Sequence, residues 1–140
     1  MKRVQVDMHM HTKASDGTQT PIELLNEIIE KNIKVFAITD HDSVENVRAM
    51  MTLTEEIDIV YIPGVEISTT YEGKEIHLLT YGIEPENEGL NKILEGNINV
   101  REKFNLKIIK HVKTLNQAVS IEDYMNYNRD PSWGGWKAEN

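Results

Sequence analysis

The stretch Val35-Phe36-Ala37-Ile38-Thr39-Asp40-His41-Asp42 decides the fold prediction. Its first five residues form a short, continuous and mostly apolar run, which predicts a strand buried on both faces, as in a parallel sheet. Three titratable residues end the run abruptly. The carboxyl ends of strands in α/β proteins are where ligands bind, so these residues are candidates for a site. Taken alone, they fit a solvated loop before a helix capped by Ser43 better than a site.

Predicted helices and strands alternate around this run. Thr20-Pro21-Ile22-Glu23 combines an N-cap, a proline in the first turn and the glutamate of a capping box, which predicts a helix that continues to about Asn32. The other predicted elements are strands at 4–11 and 57–62, and a helix after Ser43 with Val44, Val47 and Met51 on its inner side. The order strand, helix, strand, helix, strand predicts an α/β fold.

The pattern changes after residue 62. Two strands are predicted at 65–70 and 75–81, joined by a hairpin turn at Glu72-Gly73-Lys74. Apolar residues then repeat at helical spacing from Leu90 to Leu115, and Gly96 is the predicted break in this long stretch. Residues 121–140 are polar and rich in turn signals, and they carry both tryptophans. We expect this last segment to be ordered only if the tryptophans find a pocket.

Composition excludes several classes of function. The 140 residues include 15 Lys and Arg against 23 Asp and Glu, and the net charge of −8 argues against non-specific binding to DNA or anionic membranes. A phosphorylated substrate stays compatible if bound metal supplies positive charge. The chain has no cysteine, which excludes disulfides and thiolate zinc sites. It has no membrane-length apolar run and no signal-peptide core, so we expect a cytoplasmic protein.

Histidines cluster beside the predicted strand ends. His9 and His11 are two residues apart in a predicted strand and therefore share a face, together with Asp7. This spacing fits a pair of metal ligands, and by itself it fits a polar strand face as well. His111, on the long helical stretch, is interpreted as a surface residue.

The remaining candidates gain meaning only in combination. Singly, Asp16 fits a turn, Glu66 an exposed strand residue and His77 a satisfied core histidine. Together, strand ends and one loop supply four imidazoles and two carboxylates, a donor set that suits Mn, Zn or Fe. The predicted metal ligands are His9, His11, Asp16, His41, Glu66 and His77.

Five motifs, in this order and spacing, resemble those of a known family. They are Asp7-Met8-His9-Met10-His11-Thr12, Ser15-Asp16-Gly17, Ile38-Thr39-Asp40-His41-Asp42, Pro63-Gly64-Val65-Glu66-Ile67-Ser68 and His77-Leu78-Leu79-Thr80-Tyr81-Gly82. The chain resembles the PHP (polymerase and histidinol phosphatase) metallophosphoesterases of the small stand-alone type. Those include phosphatases of nucleotide bisphosphates and 5′→3′ exonucleases of short RNA. The resemblance is strong over residues 4–85 and weaker beyond.

The resemblance implies a fold and a set of residue roles. Residues 1–85 would be the N-terminal part of a distorted (β/α)7 barrel, and residues 86–140 a helical insertion with a polar C-terminal segment. Two or three divalent ions (Mn, Zn or Fe) would bind, His9 and His11 holding the first. Glu66 would bridge the first and second, His77 would hold the second, and Asp16 with His41 the third. The implied catalytic residues are Glu66, His41 and Asp16, while Asp7, Asp40 and Asp42 would orient imidazoles.

The function that follows is hydrolysis of a phosphate ester by a hydroxide that bridges the metals, on a nucleotide, short oligonucleotide or other small phosphorylated substrate. The rival interpretation is a non-catalytic metal-binding or scaffolding domain. Barrels of this kind run to about 250 residues, and the later histidines of the family do not occur after His111. We therefore expect an N-terminal portion with weak activity alone, which self-associates or binds a C-terminal fragment that completes the barrel.

Overall fold

A three-stranded parallel sheet with two helices forms the first half of the fold. The computed structural model describes residues 5–137. The sheet has the order β1-β2-β3. In chain order, this half contains β1 (Gln5–Asp7), α1 (Pro21–Glu30), β2 (Ile33–Phe36), α2 (Val47–Thr54) and β3 (Val60–Tyr61). The alternation of strands and helices confirms the predicted α/β class.

The strands of the parallel sheet are shorter than predicted. β1 ends at Asp7, so His9 and His11 lie in the loop after it rather than on the strand; residue 4 of the predicted strand lies outside the described residues. β2 ends at Phe36, although Ala37 and Thr39 are fully buried. Their amides bond the carbonyls of Asp7 (3.0 Å) and Met10 (2.8 Å). Residues 37–39 therefore continue beside the loop after β1 and bond to it, but without the regular hydrogen-bond pattern of paired strands.

The predicted start of α1 is confirmed. Thr20 Oγ1 accepts a hydrogen bond from the Glu23 amide at 3.3 Å, and Glu23 Oε2 accepts one from the Thr20 amide at 2.8 Å. This reciprocal pair is a capping box, and Pro21 occupies the first turn. The helix ends at Glu30, and Asn32 takes a positive φ of 55°.

The prediction for α2 was wrong in its start and in one of its three inner residues, whereas Val44 and Val47 do pack in the core. Its N-cap is Asn46 rather than Ser43, and Met50 rather than Met51 is buried beside Val47. The reason lies upstream, where Asp42 adopts a φ of +49°. The chain turns at Asp42 and residues 43–46 form a loop, so α2 begins at Val47 and not directly after Ser43.

The core lies between the sheet and the two helices. Its buried cluster comprises Leu24, Leu25, Ile28, Phe36, Ile38, Val47 and Met50. The Phe36 ring also packs against Tyr61 with ring centroids 5.0 Å apart. This packing fixes the loops that follow β1 and β2.

An antiparallel hairpin follows the sheet, as predicted. It consists of β4 (Gly64–Tyr71) and β5 (Lys74–Tyr81). Glu72 and Gly73 at its tip have φ of 49° and 75°, the positive values of a type I′ turn. A parallel bridge between His41 and Glu66 joins the hairpin to the sheet. Most of β5 is exposed.

The rest of the chain is helical. α3 (Glu88–Leu115) runs for 28 residues without a break, so the predicted interruption at Gly96 was wrong. No atom lies within 4 Å of a Cβ built at Gly96, so nothing packs there to bend the helix. α4 (Ile121–Asn126) and a short 3₁₀ helix (Pro131–Trp133) complete the fold. His111 is exposed, as predicted. Within residues 5–137 no helix is long and apolar enough to cross a bilayer.

Candidate metal centre

A buried carboxylate, that of Glu66, lies at the middle of the site. Its Oε2 atom is 2.9 Å from His9 Nε2, 3.2 Å from His11 Nε2 and 3.6 Å from His41 Nδ1. Its Oε1 atom is 3.1 Å from His77 Nδ1. Glu66 is only 4% exposed because β4 starts inside the fold. Four imidazoles from three separate segments thus converge on one carboxylate.

A second carboxylate, that of Asp16, extends the cluster. Asp16 Oδ1 lies 3.1 Å from His11 Nδ1, and Asp16 Oδ2 lies 3.8 Å from His41 Nε2. The rings of His11 and His41 are 4.7 Å apart. These two imidazoles therefore present one nitrogen to Glu66 and the other to Asp16. All six predicted site residues are brought together.

A tight loop places Asp16 beside His11. The amides of Ser15 and Gly17 both donate to the Thr12 carbonyl, at 3.1 and 3.0 Å, and fold the chain back on itself. A Cβ atom on Gly17 would lie 2.5 Å from the His11 carbonyl oxygen. Residue 17 must therefore lack a side chain for this loop to close.

The aspartates flanking His41 hold the loops rather than the imidazoles, which corrects the role that the resemblance implies. Asp40 is buried and accepts hydrogen bonds from the Thr12 amide (2.7 Å), Thr12 Oγ1 (2.6 Å) and Ser15 Oγ (2.7 Å). Asp42 is also buried and accepts from the amide and hydroxyl of Ser68, at 3.0 and 2.7 Å. Each aspartate joins two ligand-bearing segments.

Asp7 also acts on the backbone rather than on an imidazole. Its Oδ1 atom accepts a hydrogen bond of 3.3 Å from the amide of His9. β1 ends at this residue, so its carboxylate lies next to the loop that follows. The contact supports the turn that carries His9 to Glu66.

Burial lowers the pKa of His41 below its usual value, and the carboxylates of Glu66 and Asp16 oppose this effect only in part. Neighbouring His11 and His77 lower it further, because two adjacent imidazolium charges repel each other. The neutral imidazole, which has a lone pair for a metal, is therefore favoured at His41.

The donor set fits divalent cations. Three overlapping groups have ligand atoms within 4.8 Å of one another, namely His9, His11 and Glu66; His11, Asp16 and His41; and His41, Glu66 and His77. Imidazole nitrogens combined with carboxylate oxygens suit Zn, Mn and Fe. A desolvated carboxylate such as Glu66 also needs a compensating positive charge, which a dication provides.

Three residues near the site escaped the sequence-based prediction. Glu75 Oε1 lies 3.2 Å from His77 Nε2. The spacing of two along β5 could have revealed it, because alternate strand residues share a face. Arg101 and Trp136 contact the surroundings of His41 from distant segments. No local pattern connects them with the histidine motifs.

Comparison with known proteins agrees with this geometry. The family model for the PHP domain matches residues 7–129. A 5′-3′ exoribonuclease of Haemophilus influenzae is 32% identical over 102 residues, which are 73% of this chain and 37% of that protein. A 3′,5′-nucleoside bisphosphate phosphatase of Chromobacterium violaceum is 29% identical over 97 residues, 66% of this chain and 34% of that protein.

The same fold occurs in a solved structure. An amidohydrolase from Chromobacterium violaceum superposes with a TM-score of 0.79 and 21% identity, covering 96% of this chain and 48% of that one. At this identity the similarity concerns the fold alone. The chain spans about a third of the length of the two curated relatives.

Proposed function

Because the chain belongs to the PHP domain family, we propose that it is a metal-dependent phosphoesterase that hydrolyses a phosphate ester. The observation that carries this proposal is the convergence of four imidazoles on the buried carboxylate of Glu66. Both relatives described above are named for the cleavage of phosphate esters, in RNA or in a nucleoside bisphosphate.

Two or three divalent ions, of Mn, Zn or Fe, would be held by the three overlapping groups of ligands. Glu66 belongs to two of these groups and would bridge their ions, with His9 and His11 on one side and His77 on the other. Asp16 and His41 would hold a third ion. Glu66 can serve two ions at once because its two oxygens are separate donor atoms, whereas a neutral imidazole has one lone pair and serves one ion.

Glu66, His41 and Asp16 are the proposed catalytic residues. When bound, the ions supply Lewis acidity, which makes hydroxide available at neutral pH and offsets the charge that develops on the phosphate. The side chains of Glu66 and His41 are shielded from solvent, so burial holds these two proposed ligands at fixed positions. The Asp16 side chain is 31% exposed, so water can reach it. This exposure supports a role for Asp16 in orienting water or taking a proton.

The proposed substrate is a nucleotide, a short oligonucleotide or another small phosphorylated molecule. The names of the two relatives support nucleotide esters. A chain of net charge −8 repels such anions, and the ions at the site would reverse the local sign. A cytoplasmic location stays a prediction from the sequence.

We also propose that residues 1–85 are the N-terminal part of a (β/α)7 barrel and that residues 86–140 form its helical insertion. Exposed apolar side chains support this division, since Leu78 on β5 is 50% exposed and Val6 on β1 is 55% exposed. Strands with open edges and apolar faces bind further strands. The partner would be a second copy of the chain or a C-terminal fragment that completes the barrel.

Release of phosphate from a nucleoside bisphosphate, or of mononucleotides from RNA, tests the proposal directly. The purified chain, with and without a C-terminal fragment from a longer relative, is incubated with a nucleoside 3′,5′-bisphosphate or a short 5′-phosphorylated RNA. We expect hydrolysis with Mn²⁺, none with EDTA, and a large loss in Asp16→Asn. Activity that is indifferent to both EDTA and Asp16→Asn would contradict the proposal. Metal binding without hydrolysis under all of these conditions would favour the scaffolding alternative.

A further inference from the structure

Arg101, in the middle of α3, contacts the surroundings of His41 on two sides. Its Nη2 atom donates a hydrogen bond to Asp42 Oδ2. Its Cζ atom lies 4.1 Å from the centre of the Trp136 ring, a cation–π distance. One side chain thus joins the residue that follows His41 to an aromatic ring from the C-terminal segment.

Asp42 fixes the backbone next to His41. Its carboxylate is fully buried and accepts hydrogen bonds from Ser68, from Asn97 Nδ2 at 2.7 Å and from Arg101. The residue holds a φ of +49°, which is uncommon for a residue other than glycine. Arg101 donates the charged hydrogen bond in this network, and a buried carboxylate needs such a partner.

Trp136 closes the circle of contacts on the opposite side. Its ring centroid is 5.5 Å from that of His41, with the ring planes 54° apart. The chain of contacts therefore runs from His41 through Asp42, Arg101 and Trp136 back to His41. Every link is either a peptide bond or a contact given above.

We propose that Arg101 and Trp136 are positioning residues that hold the His41 imidazole in place for metal binding. This inference rests on the proposed function, because it assigns His41 to a metal. The planar guanidinium suits both tasks, since it can bond a carboxylate in its plane while it stacks on an indole with its face. Lysine in its place would keep the charge for Asp42 without the planar stacking surface.

The first test needs no metal. In EDTA, the full chain should give nuclear Overhauser effects between the Trp136 indole and the His41 ring. The chain has two tryptophans, and all variants are made in a Trp133→Phe parent chain so that Trp136 is the only indole observed. Arg101→Lys should weaken these effects at least twofold, whereas Lys107→Gln, which removes an exposed cation of the same helix, should leave them unchanged.

The second test reads the metal. Co²⁺ bound at His41 should quench the fluorescence of Trp136 in the Trp133→Phe chain. Arg101→Lys should weaken the Co²⁺ affinity that this quenching reports by about 10-fold or more, the usual effect of losing a group that orients a ligand. Trp136→Leu keeps the Arg101–Asp42 pair and should weaken the Co²⁺ affinity, which calorimetry measures in this variant. If Arg101→Lys fails to fold, Trp136→Leu provides the test of the positioning role.

The outcomes separate the two claims. Absence of the Trp136–His41 effects in the parent chain, or an Arg101→Lys chain that matches it in both tests, would overturn the positioning role. A parent chain that shows the contacts in EDTA but binds no Co²⁺ would overturn the proposed function and, with it, the metal-directed part of this inference.

Discussion

Two regions contribute residues to the same site but differ in how much of their surface is buried. One is the sheet layer, made of β1–β3 with α1 and α2, and the other is the hairpin of β4 and β5. In the sheet layer, seven buried apolar residues pack between strands and helices. In the hairpin, most of β5 is exposed, and Leu78 and Ile76 face solvent. The sheet layer therefore has its own hydrophobic core. The hairpin, which the structure describes in full, has none and is held by the buried residues at the start of β4.

The difference explains how the ligands are shared. The sheet layer supplies His9, His11, Asp16 and His41 from loops that its core holds in place. The hairpin supplies Glu66 at the point where it is buried and His77 further along an exposed strand. Its connections to the sheet layer include the His41–Glu66 bridge, the hydrogen bonds from Ser68 to Asp42, and a hydrogen bond of 2.9 Å from the Tyr81 hydroxyl to the Met8 carbonyl. Glu66 is thus both a ligand candidate and part of the joint between the regions.

Replacing the carboxylate at this joint should have the largest effect on metal binding. Glu66→Gln keeps the shape of the side chain and removes its negative charge. We expect metal affinity to fall by more than the roughly 10–100-fold that follows loss of an orienting group, because Glu66 serves two ions. Elemental analysis after dialysis against Mn²⁺ measures the change.

The matched control is Glu72→Gln at the exposed tip of the same hairpin. It removes the same charge far from the imidazoles and should leave the metal content unchanged. Equal metal content in the Glu66→Gln and wild-type chains would remove Glu66 from the centre of the site.

The two regions should also differ in how much they stabilise the fold. Phe36→Ala removes a fully buried ring from the sheet layer and should lower the free energy of unfolding by about 3–5 kcal/mol. Leu78→Ala on the exposed face of β5 should change it by less than about 0.5 kcal/mol. Urea unfolding followed by circular dichroism gives both values. A large loss for Leu78→Ala would mean that β5 is covered in solution, which an accompanying change in oligomeric state would reveal.

Substitutions at two glycines should change the stability of the chain by smaller amounts than Phe36→Ala and in opposite directions. Gly17→Ala places a Cβ atom 2.5 Å from the His11 carbonyl oxygen and 2.8 Å from that of Thr12, so the loop carrying Asp16 must shift. We expect a destabilisation of about 1–3 kcal/mol and weaker metal binding. The Cβ atom of Gly96→Ala meets nothing beyond its chain neighbours and the backbone of its own helix, so this change should stabilise the chain by about 0.5–1 kcal/mol. The same sign for both would contradict the packing described for the loop.

The last prediction concerns the start of α1. Thr20→Ala removes the hydroxyl that accepts the Glu23 amide and should lower the free energy of unfolding by about 1 kcal/mol. Metal content should not change, because the cap lies outside the ligand groups. A loss of metal in this variant would show that α1 and the loop before it move together.

Local signals account for what the sequence predicts well. The capping box at Thr20, the hairpin tip at Glu72 and the alternation of strands and helices all depend on residues close together in the chain. Of the six ligand candidates, His9, His11, Asp16 and His41 lie in loops that follow strands and Glu66 lies near the start of β4, whereas His77 lies in the middle of β5. Their combination in the sequence made them identifiable, not a strand end in each case.

The features that the sequence did not reveal depend on distant contacts or on a single dihedral angle. The positive φ of Asp42 shifts the start of α2, and no residue pattern announced it. The contact between Arg101 and Asp42 joins residues 59 positions apart, so no local pattern in the sequence indicates it. The continuity of α3 through Gly96 follows from a lack of packed neighbours that would bend the helix.

Anomalous diffraction from crystals of the chain soaked in Mn²⁺ tests the central claim most directly. We predict at least two peaks, each about 2.0–2.2 Å from its ligand atoms, with Glu66 contacting both. One should lie beside His9 and His11 and the other beside His77. Peaks confined to surface carboxylates, with none within reach of Glu66, would contradict the claim that the sheet layer and the hairpin assemble a metal centre together.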